Sequence, residues 1–488
     1  MTQPTRRDSS WLLPALLLSA LAGRFGIDLW LRSNGYFYGA PWDTFSRTDL
    51  SFQWSRSPYF APSDGYWLPL QFWIVGSLFR LIHPWISYSE ILVPVAVNHL
   101  LFLGSLALLY RLSRRAGGRA AGGLAVLLAT VFSGDVLITY SGLCEPFLVF
   151  FILWASIELV GFWDATPDAR PGRALRASVP ALLSAATHYI GWFLAVFVAL
   201  ALMPDLLRSV RDRRFRWTAT FVVASLLCAM VPTIWLLNSV IHFGDPLHPM
   251  RAAKTLQADY MGQMPFAKRL IVPWRALVRH YWALAVPGAL AALWALFRRP
   301  RLLSSVAPAA FVFAWIWVTT ALSFSAPYEE PRYFVFFVWA LLPVLSAALV
   351  SLPKRWGGRG IAASGLAVAL MVVASFASLK WTKNSFGPEV ERAAQLARVW
   401  LHSHPDGRVS IEARGYAESG VIPVVAGDPR RFAILSQQQM EGCLPNLASC
   451  LGKGSSPWLA ILYAEESRAP AGRDEGRIGP YRIVSGGR

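Results

Sequence analysis

Apolar stretches long enough to cross a bilayer recur along this chain, and short arginine clusters separate them. A spanning helix needs about 20 mostly apolar residues, and the segments near 11–31, 89–110, 120–138, 145–163, 217–240, 281–297, 304–324, 333–350 and 360–380 meet or approach that length. The stretch 174–206 is longer, and THYIG at 187–191 divides it into two helices joined by a tight turn. About eleven spans are expected. A length of 488 residues would otherwise allow two or three soluble domains, but 55% hydrophobic and 15% charged residues put most of the chain in lipid.

The formal charge of +18 does not point to nucleic acid, because the Lys and Arg residues fall in short clusters between the apolar runs. With Arg6 and Arg7 inside, alternation of the spans puts Arg111, Arg114, Arg115 and Arg119 on the same side. The clusters at 170–176, 208–216, 298–301 and 354–359 fall there too, as retention in the cytoplasm requires. This holds if 66–82 lies along the outer surface as an interfacial helix, which its Trp67, Trp73 and Arg80 permit. The expected location is the cytoplasmic (inner) membrane, with a cytoplasmic N-terminus and an uncleaved signal anchor. Six lysines against forty arginines hint at a GC-rich bacterial genome.

On the outer side the alternation gathers the loop Gly35–Pro69, SGLCEP at 141–146, THYIG at 187–191, the segment His242–His280, PYEEPRY at 327–333 and the tail. The predicted organisation is a membrane domain over 1–383, with a first outer loop at 32–88, and a small α/β domain over 384–488. That tail reads as a helix over 388–403 and strands near 408–412, 421–425, 458–463 and 480–484. The fold class is thus an all-α polytopic membrane protein with a small extracytoplasmic α/β domain. Cys144 and Cys228 read as packing residues, and Cys443 and Cys450 could form a disulfide outside the cell.

The first loop sets Asp43, Asp49 and Asp64 among Tyr36, Tyr38, Trp42, Trp54, Tyr59, Tyr66 and Trp67. A sugar stacks its C–H faces on aromatic rings and bonds its hydroxyls to carboxylates; aromatic residues also collect at any headgroup region. Asp43 opens an amphipathic helix that Pro58 ends. Asp49, six residues on, points away from it, and Arg47 is the better helical neighbour. Arg24 and Asp28, one turn apart in the first span, are expected to pair with each other. Glu145 starts a span, as a cap complementing the helix dipole or as a sugar ligand. His188 and Tyr189 occupy the THYIG turn, and Asp245 and His248 a turn of FGDPLHP. Arg332 faces either a phosphate or its neighbours Glu329 and Glu330. His402, His404 and Asp406 read as a solvated helix end.

The order of these pieces resembles the GT-C superfamily: one span, a long outer loop with an acid soon after it, an interfacial helix, then a span ending in an Arg-rich turn. These membrane glycosyltransferases use polyprenyl-phosphate sugars; the protein O-mannosyltransferases (glycosyltransferase family 39) and lipid A aminoarabinose transferases are among them. The matching pieces are PWDTF at 41–45, YWLPLQFW at 66–73, LLYRLSRRAGGR at 108–119, SGLCEP at 141–146, THYIGW at 187–192, FGDPLHP at 243–249 and EEPRYF at 329–334. Many relatives have two adjacent acids in the first loop, whereas Thr44 follows Asp43 here, and Trp67-Leu68-Pro69 lacks the histidine of the relatives' motif.

The resemblance implies a hexosyl- or pentosyltransferase with Asp43 as the base that activates the acceptor. It implies Arg332 as the phosphate partner, with Arg251 and Lys254 in reserve. Asp49, Trp67, Glu145, His188, Tyr189, Asp245 and His248 are the other expected substrate contacts. The implied partners are membrane lipid, a polyprenyl-phosphate sugar and an acceptor glycan, lipid or protein. A divalent metal is compatible with the class, but no ligand set is readable. A transporter or flippase of lipid-linked substrates is the alternative, and would place ionisable groups at mid-membrane. A non-catalytic accessory subunit with the same fold is another.

Overall fold

The computed structural model describes residues 11–34, 43–60, 67–82, 92–261, 264–322, 330–379, 388–414, 421–427, 429–436, 439–440, 443, 457–463 and 473–486. It is a helical membrane bundle followed by a small mixed sheet. Seven helices among the described residues are long and apolar enough to span, and an eighth span follows if the bent pair α5 (Arg119–Thr130) and α6 (Ser133–Tyr140) is one. The protein is a multi-pass membrane protein.

All eleven expected segments lie on helix, but several are joined or shortened. The helices α1 (Leu12–Ser33), α4 (Leu92–Gly117), α7 (Glu145–Trp163), α9 (Ile190–Arg211) and α10 (Phe215–Phe243) each match one segment. The 174–206 stretch divides at THYIG into α8 (Arg170–Ala185) and α9, as expected. The 281–297 segment is the second half of α12 (Phe266–Arg298), which is kinked at Tyr281. The last two segments form α14 (Val335–Ser378), whose helical path breaks at Gly357 with φ 54°. There the chain turns back on itself: Ser364 Oγ donates to Leu349 O at 2.9 Å, whereas fifteen residues of straight helix would separate them by about 22 Å. The 304–324 segment shortens to α13 (Ala307–Ala321).

The core lies among α4, α5, α7, α8, α12 and α14, with Phe102, Phe132, Phe162 and Trp339 buried in it. Small residues let the helices approach: a Cβ at Gly117 would lie 2.9 Å from Cα of Ala347 on α14. Two ionic contacts are buried in this bundle. Arg24, fully buried on α1, donates from Nη2 to Asp135 Oδ2 of α6 at 2.5 Å. Asp28 Oδ2 lies 2.7 Å from Nε2 of His99 on α4. The expected Arg24–Asp28 pairing is therefore replaced by two contacts to other helices. Buried charges need partners, and these tie α1 to the bundle.

The interfacial segment forms α3 (Leu70–Ile82), which packs on α2 (Asp43–Arg56). Phe52, Val75 and Phe79 are buried between them. In the C-terminal part, α15 (Pro388–Ser403) and a five-stranded sheet occur in the order β2-β1-β3-β5-β4. Here β1 (Arg408–Ala413) runs parallel to β2 (Phe432–Ser436) and β3 (Trp458–Tyr463). β5 (Tyr481–Gly486) is antiparallel to β3 and to β4 (Arg473–Ile478). The strand expected at 421–425 is instead a short helix, α16 (Ile422–Ala426). Pro423 cannot donate to a ladder but suits a first helical turn. Phe45 of α2 is fully buried in the core of this C-terminal unit, with Val409, Ile411, Ile422 and Ile483. Cys443 is disulfide-bonded, and Cys450 lies outside the described residues.

Candidate functional site

Four chain segments distant in sequence meet at one end of the bundle, and each does so at a helix end. Asp43 is the first residue of α2, Glu145 the first of α7, and His188 lies in the α8–α9 turn. Arg332 belongs to a turn of 3-10 helix, Pro331–Phe334, that leads into α14. Pro331 and Pro146 each start a helix where no backbone donor is needed.

Arg332 is the hub. Its Nη2 donates to Asp43 Oδ2 at 2.7 Å and to the Tyr333 hydroxyl at 3.0 Å. Its Nε lies 2.6 Å from Glu330 Oε2 and 3.4 Å from Glu145 Oε1. The Nε contacts are charge contacts without hydrogen-bond alignment. The Arg332 side chain is 5% exposed, while that of Asp43 is 36% exposed. Burial, the largest single influence, pushes the Asp43 carboxyl up. The attraction of Arg332 and Arg47 and the Arg332 hydrogen bond outweigh it and hold the acid below its ordinary value.

Arg47, one turn along α2 from Asp43, does not pair with it. Its guanidinium lies over the Trp67 ring at 4.7 Å. Its Nη1 donates to Gln71 Oε1 at 3.1 Å, and Gln71 Nε2 donates in turn to Gly142 O at 3.1 Å. Trp67 itself stacks with Phe72 at 6.1 Å. His188 accepts the Ile190 backbone N–H at Nδ1 (3.0 Å), so the neutral ring carries its proton on Nε2. Burial, with Arg47 and Arg332 nearby, lowers its pKa to about 3, and the imidazole is neutral at physiological pH.

The remaining expected site residues lie elsewhere. Asp49 accepts from Gln53 Nε2 at 2.8 Å on its own helix and joins none of the Arg332 contacts. The Tyr189 hydroxyl accepts from Trp235 Nε1 of α10 at 3.1 Å. Asp245 caps its own turn by accepting the Leu247 N–H at 3.0 Å, with Arg251 Nη1 at 3.4 Å from its carboxylate. His248 stacks on Phe243 at 4.0 Å. Asp64 and Glu329 lie outside the described residues. His404 stacks on Trp400 at 4.4 Å at the end of α15, as a helix-end residue.

Cys144, Glu145 and His188 present ligand atoms within 4.8 Å of one another. These three groups already have partners within the protein. Cys144 Sγ–H donates to Glu145 Oε2 at 3.9 Å. The imidazole Nδ1 is engaged by a backbone N–H, and Arg332 shares the carboxylate. The arrangement instead offers one accessible carboxylate, one neutral N–H donor and two guanidinium groups beside an indole face.

The fold that carries this site is shared with solved structures of other proteins. ArnT from Cupriavidus metallidurans bound to undecaprenyl phosphate is similar over 98% of both chains, with a TM-score of 0.60 at 14% identity. Its apo state is similar over 95% of this chain and 98% of that one, with a TM-score of 0.54 at 12% identity. The Archaeoglobus fulgidus oligosaccharyltransferase tethered to an acceptor peptide is similar over 93% of this chain and 69% of that one, with a TM-score of 0.51 at 12% identity. No family model and no curated protein matches the sequence.

Proposed function

We propose that the protein is an inverting glycosyltransferase that moves a sugar from a polyprenyl-phosphate donor to an acceptor at the outer face of the cytoplasmic membrane. One observation carries the reading: at a helix-end cluster of a GT-C fold, the partly exposed Asp43 carboxylate is held at 2.7 Å by the buried Arg332. Support for the donor class comes from the ArnT structure, which holds undecaprenyl phosphate. In this reading residues 1–383 form the catalytic membrane domain and 384–488 an extracytoplasmic domain, with the N-terminus in the cytoplasm. The acceptor is a glycan, a lipid or a protein.

The chemistry follows from the groups present. Asp43 takes the proton of the acceptor hydroxyl or amine, and the freed electron pair attacks the anomeric carbon on the face opposite the phosphate. The bond from that carbon to the phosphate oxygen breaks, and the lipid phosphate leaves with the electron pair. The leaving group gains negative charge, and a guanidinium group lining the site stabilises it. Trp67 offers a face for the sugar or lipid headgroup, and Glu145 and the His188 Nε2–H offer bonds to sugar hydroxyls. Incubating the protein with radiolabelled polyprenyl-phosphate sugars tests this: label should enter a membrane acceptor, and its absence with every donor would contradict the reading.

The transporter alternative draws on the Arg24–Asp135 and Asp28–His99 contacts, which lie inside the helical bundle. Each is a side-chain pair between helices of the packed core, the form that structural buried charges take. The weight therefore stays with chemistry at the outer end.

A further inference from the structure

Three arginines among the described residues are buried: Arg24, Arg47 and Arg332. Arg24 has Asp135, and Arg332 has Asp43, Glu145 and Glu330. Arg47 is 7% exposed and has no carboxylate within 4.0 Å among the described residues; Asp43, one turn away, attracts it from beyond that distance but is itself bonded to Arg332. Among the described residues its hydrogen-bonded partner is the neutral Gln71, and its Nε is buried without a hydrogen bond. A buried guanidinium without a counter-ion is costly, and a protein keeps one where a ligand supplies the missing charge. Arg332, by contrast, is already neutralised by three acids and has little attraction left for an anion.

The surroundings of Arg47 fit a phosphate. The indole of Trp67 covers the guanidinium, and the Gln71 bridge to Gly142 holds it against the loop that leads to Cys144 and Glu145. The Leu70 N–H donates to Ala186 O at 3.0 Å, which fixes the start of α3 beside the turn that carries His188. The His188 Nε2–H is a second donor from that turn, fixed in its tautomer by the Ile190 N–H.

We propose that Arg47, with the Nε2–H of His188, is the phosphate-binding half of this site, and that Arg332 serves instead to hold Asp43. This rests on the glycosyltransferase reading and deepens it. The ligand is a phosphate ester anion, carried on a lipid or free.

The test uses the full chain in lipid nanodiscs, measuring thermal unfolding and affinity with a polyprenyl phosphate, the matching polyprenol and inorganic phosphate. For Arg47→Met, the ligand-free protein should melt at or above the wild-type temperature, because a buried charge that forms no ion pair among the described residues has gone. The stabilisation by polyprenyl phosphate should vanish, with affinity lower by about 30-fold or more. Arg47→Lys should recover part of that affinity, and polyprenol should bind both variants as it binds wild type. A shift by inorganic phosphate that also depends on Arg47 would support the site and assign it to free anion.

Several outcomes overturn the inference. An Arg47→Met protein that unfolds early or fails to fold while Arg47→Lys binds as wild type would make Arg47 structural. Unchanged phosphate affinity in Arg47→Met, with loss in Arg332→Met, would return the phosphate to Arg332 and leave the glycosyltransferase reading intact. Wild-type protein that binds neither phosphate would overturn both.

Discussion

Arg332 donates from Nη2 to Oδ2 of Asp43 at 2.7 Å, across 289 residues of chain. This bond joins the start of α2 to the turn that leads into α14, and it lowers the basicity of Asp43. The Asp43 acid is held below its ordinary value, which favours the ionised form that accepts a proton but makes it a weaker base.

The pH dependence of transfer follows. Because the Asp43 acid is depressed, the acid limb of the rate profile should lie below the ordinary carboxylate range. In Arg332→Gln the attraction is gone while the desolvation remains, so the limb should move upward, and transfer should fall at least about 100-fold as positioning is lost. Rates measured with a labelled donor from acid to neutral pH check both statements. A limb that stays in place would show that Arg332 does not set the base.

His188 links stability to pH. Its folded value of about 3 lies below the ordinary 6.5, so between these values the unfolded chain binds a proton that the folded chain does not. Stability is therefore full above the unfolded value and declines as pH falls from about 6.5 toward about 3. His188→Gln should remove this part of the decline, read as a flatter plot of melting temperature against pH.

The Phe45 ring should couple the C-terminal sheet to α2, which carries Asp43. It sits two residues after Asp43 and is fully buried with Ile422 and Ile483. Phe45→Ala should cost about 3–5 kcal/mol of stability and lower kcat more than the KM for donor. Phe45→Leu should recover most of both, and equal kinetics in all three would deny the coupling.

Removing one partner of the buried Arg24–Asp135 pair should be severe. Asp135→Asn leaves the fully buried guanidinium uncompensated, at a cost of about 3–5 kcal/mol. Nanodisc-embedded protein should melt several degrees lower, and Asp28→Asn should do less because the partner of Asp28 is a histidine that can be neutral.

How far the sequence carried is clear from particular residues. Length and composition located the seven described helices that are long and apolar enough to span, against an expectation of about eleven, because each must satisfy its backbone internally in lipid. The α-helical rotation from Asp43 separated Asp49, which bonds to Gln53 instead. Arg24 illustrates the limit: the local i,i+4 partner Asp28 was available, but the actual partner Asp135 lies 111 residues away. Long-range pairing carries no local pattern, and for the same reason Arg332 could be placed at the outer end without its bond to Asp43 being legible. Arg47 was readable only as a neighbour of Asp43; its missing counter-ion is visible in three dimensions alone. VIPVV reads as a strand by β-branching, and Pro423 made it a helix.

The most direct measurement is transfer of radiolabel from a panel of polyprenyl-phosphate sugars into membrane material, comparing wild type with Asp43→Asn at matched expression. The account predicts label in one acceptor fraction with wild type and a loss of about 100-fold or more in the variant. Equal labelling by both proteins, or none by folded wild type with any donor, would contradict it.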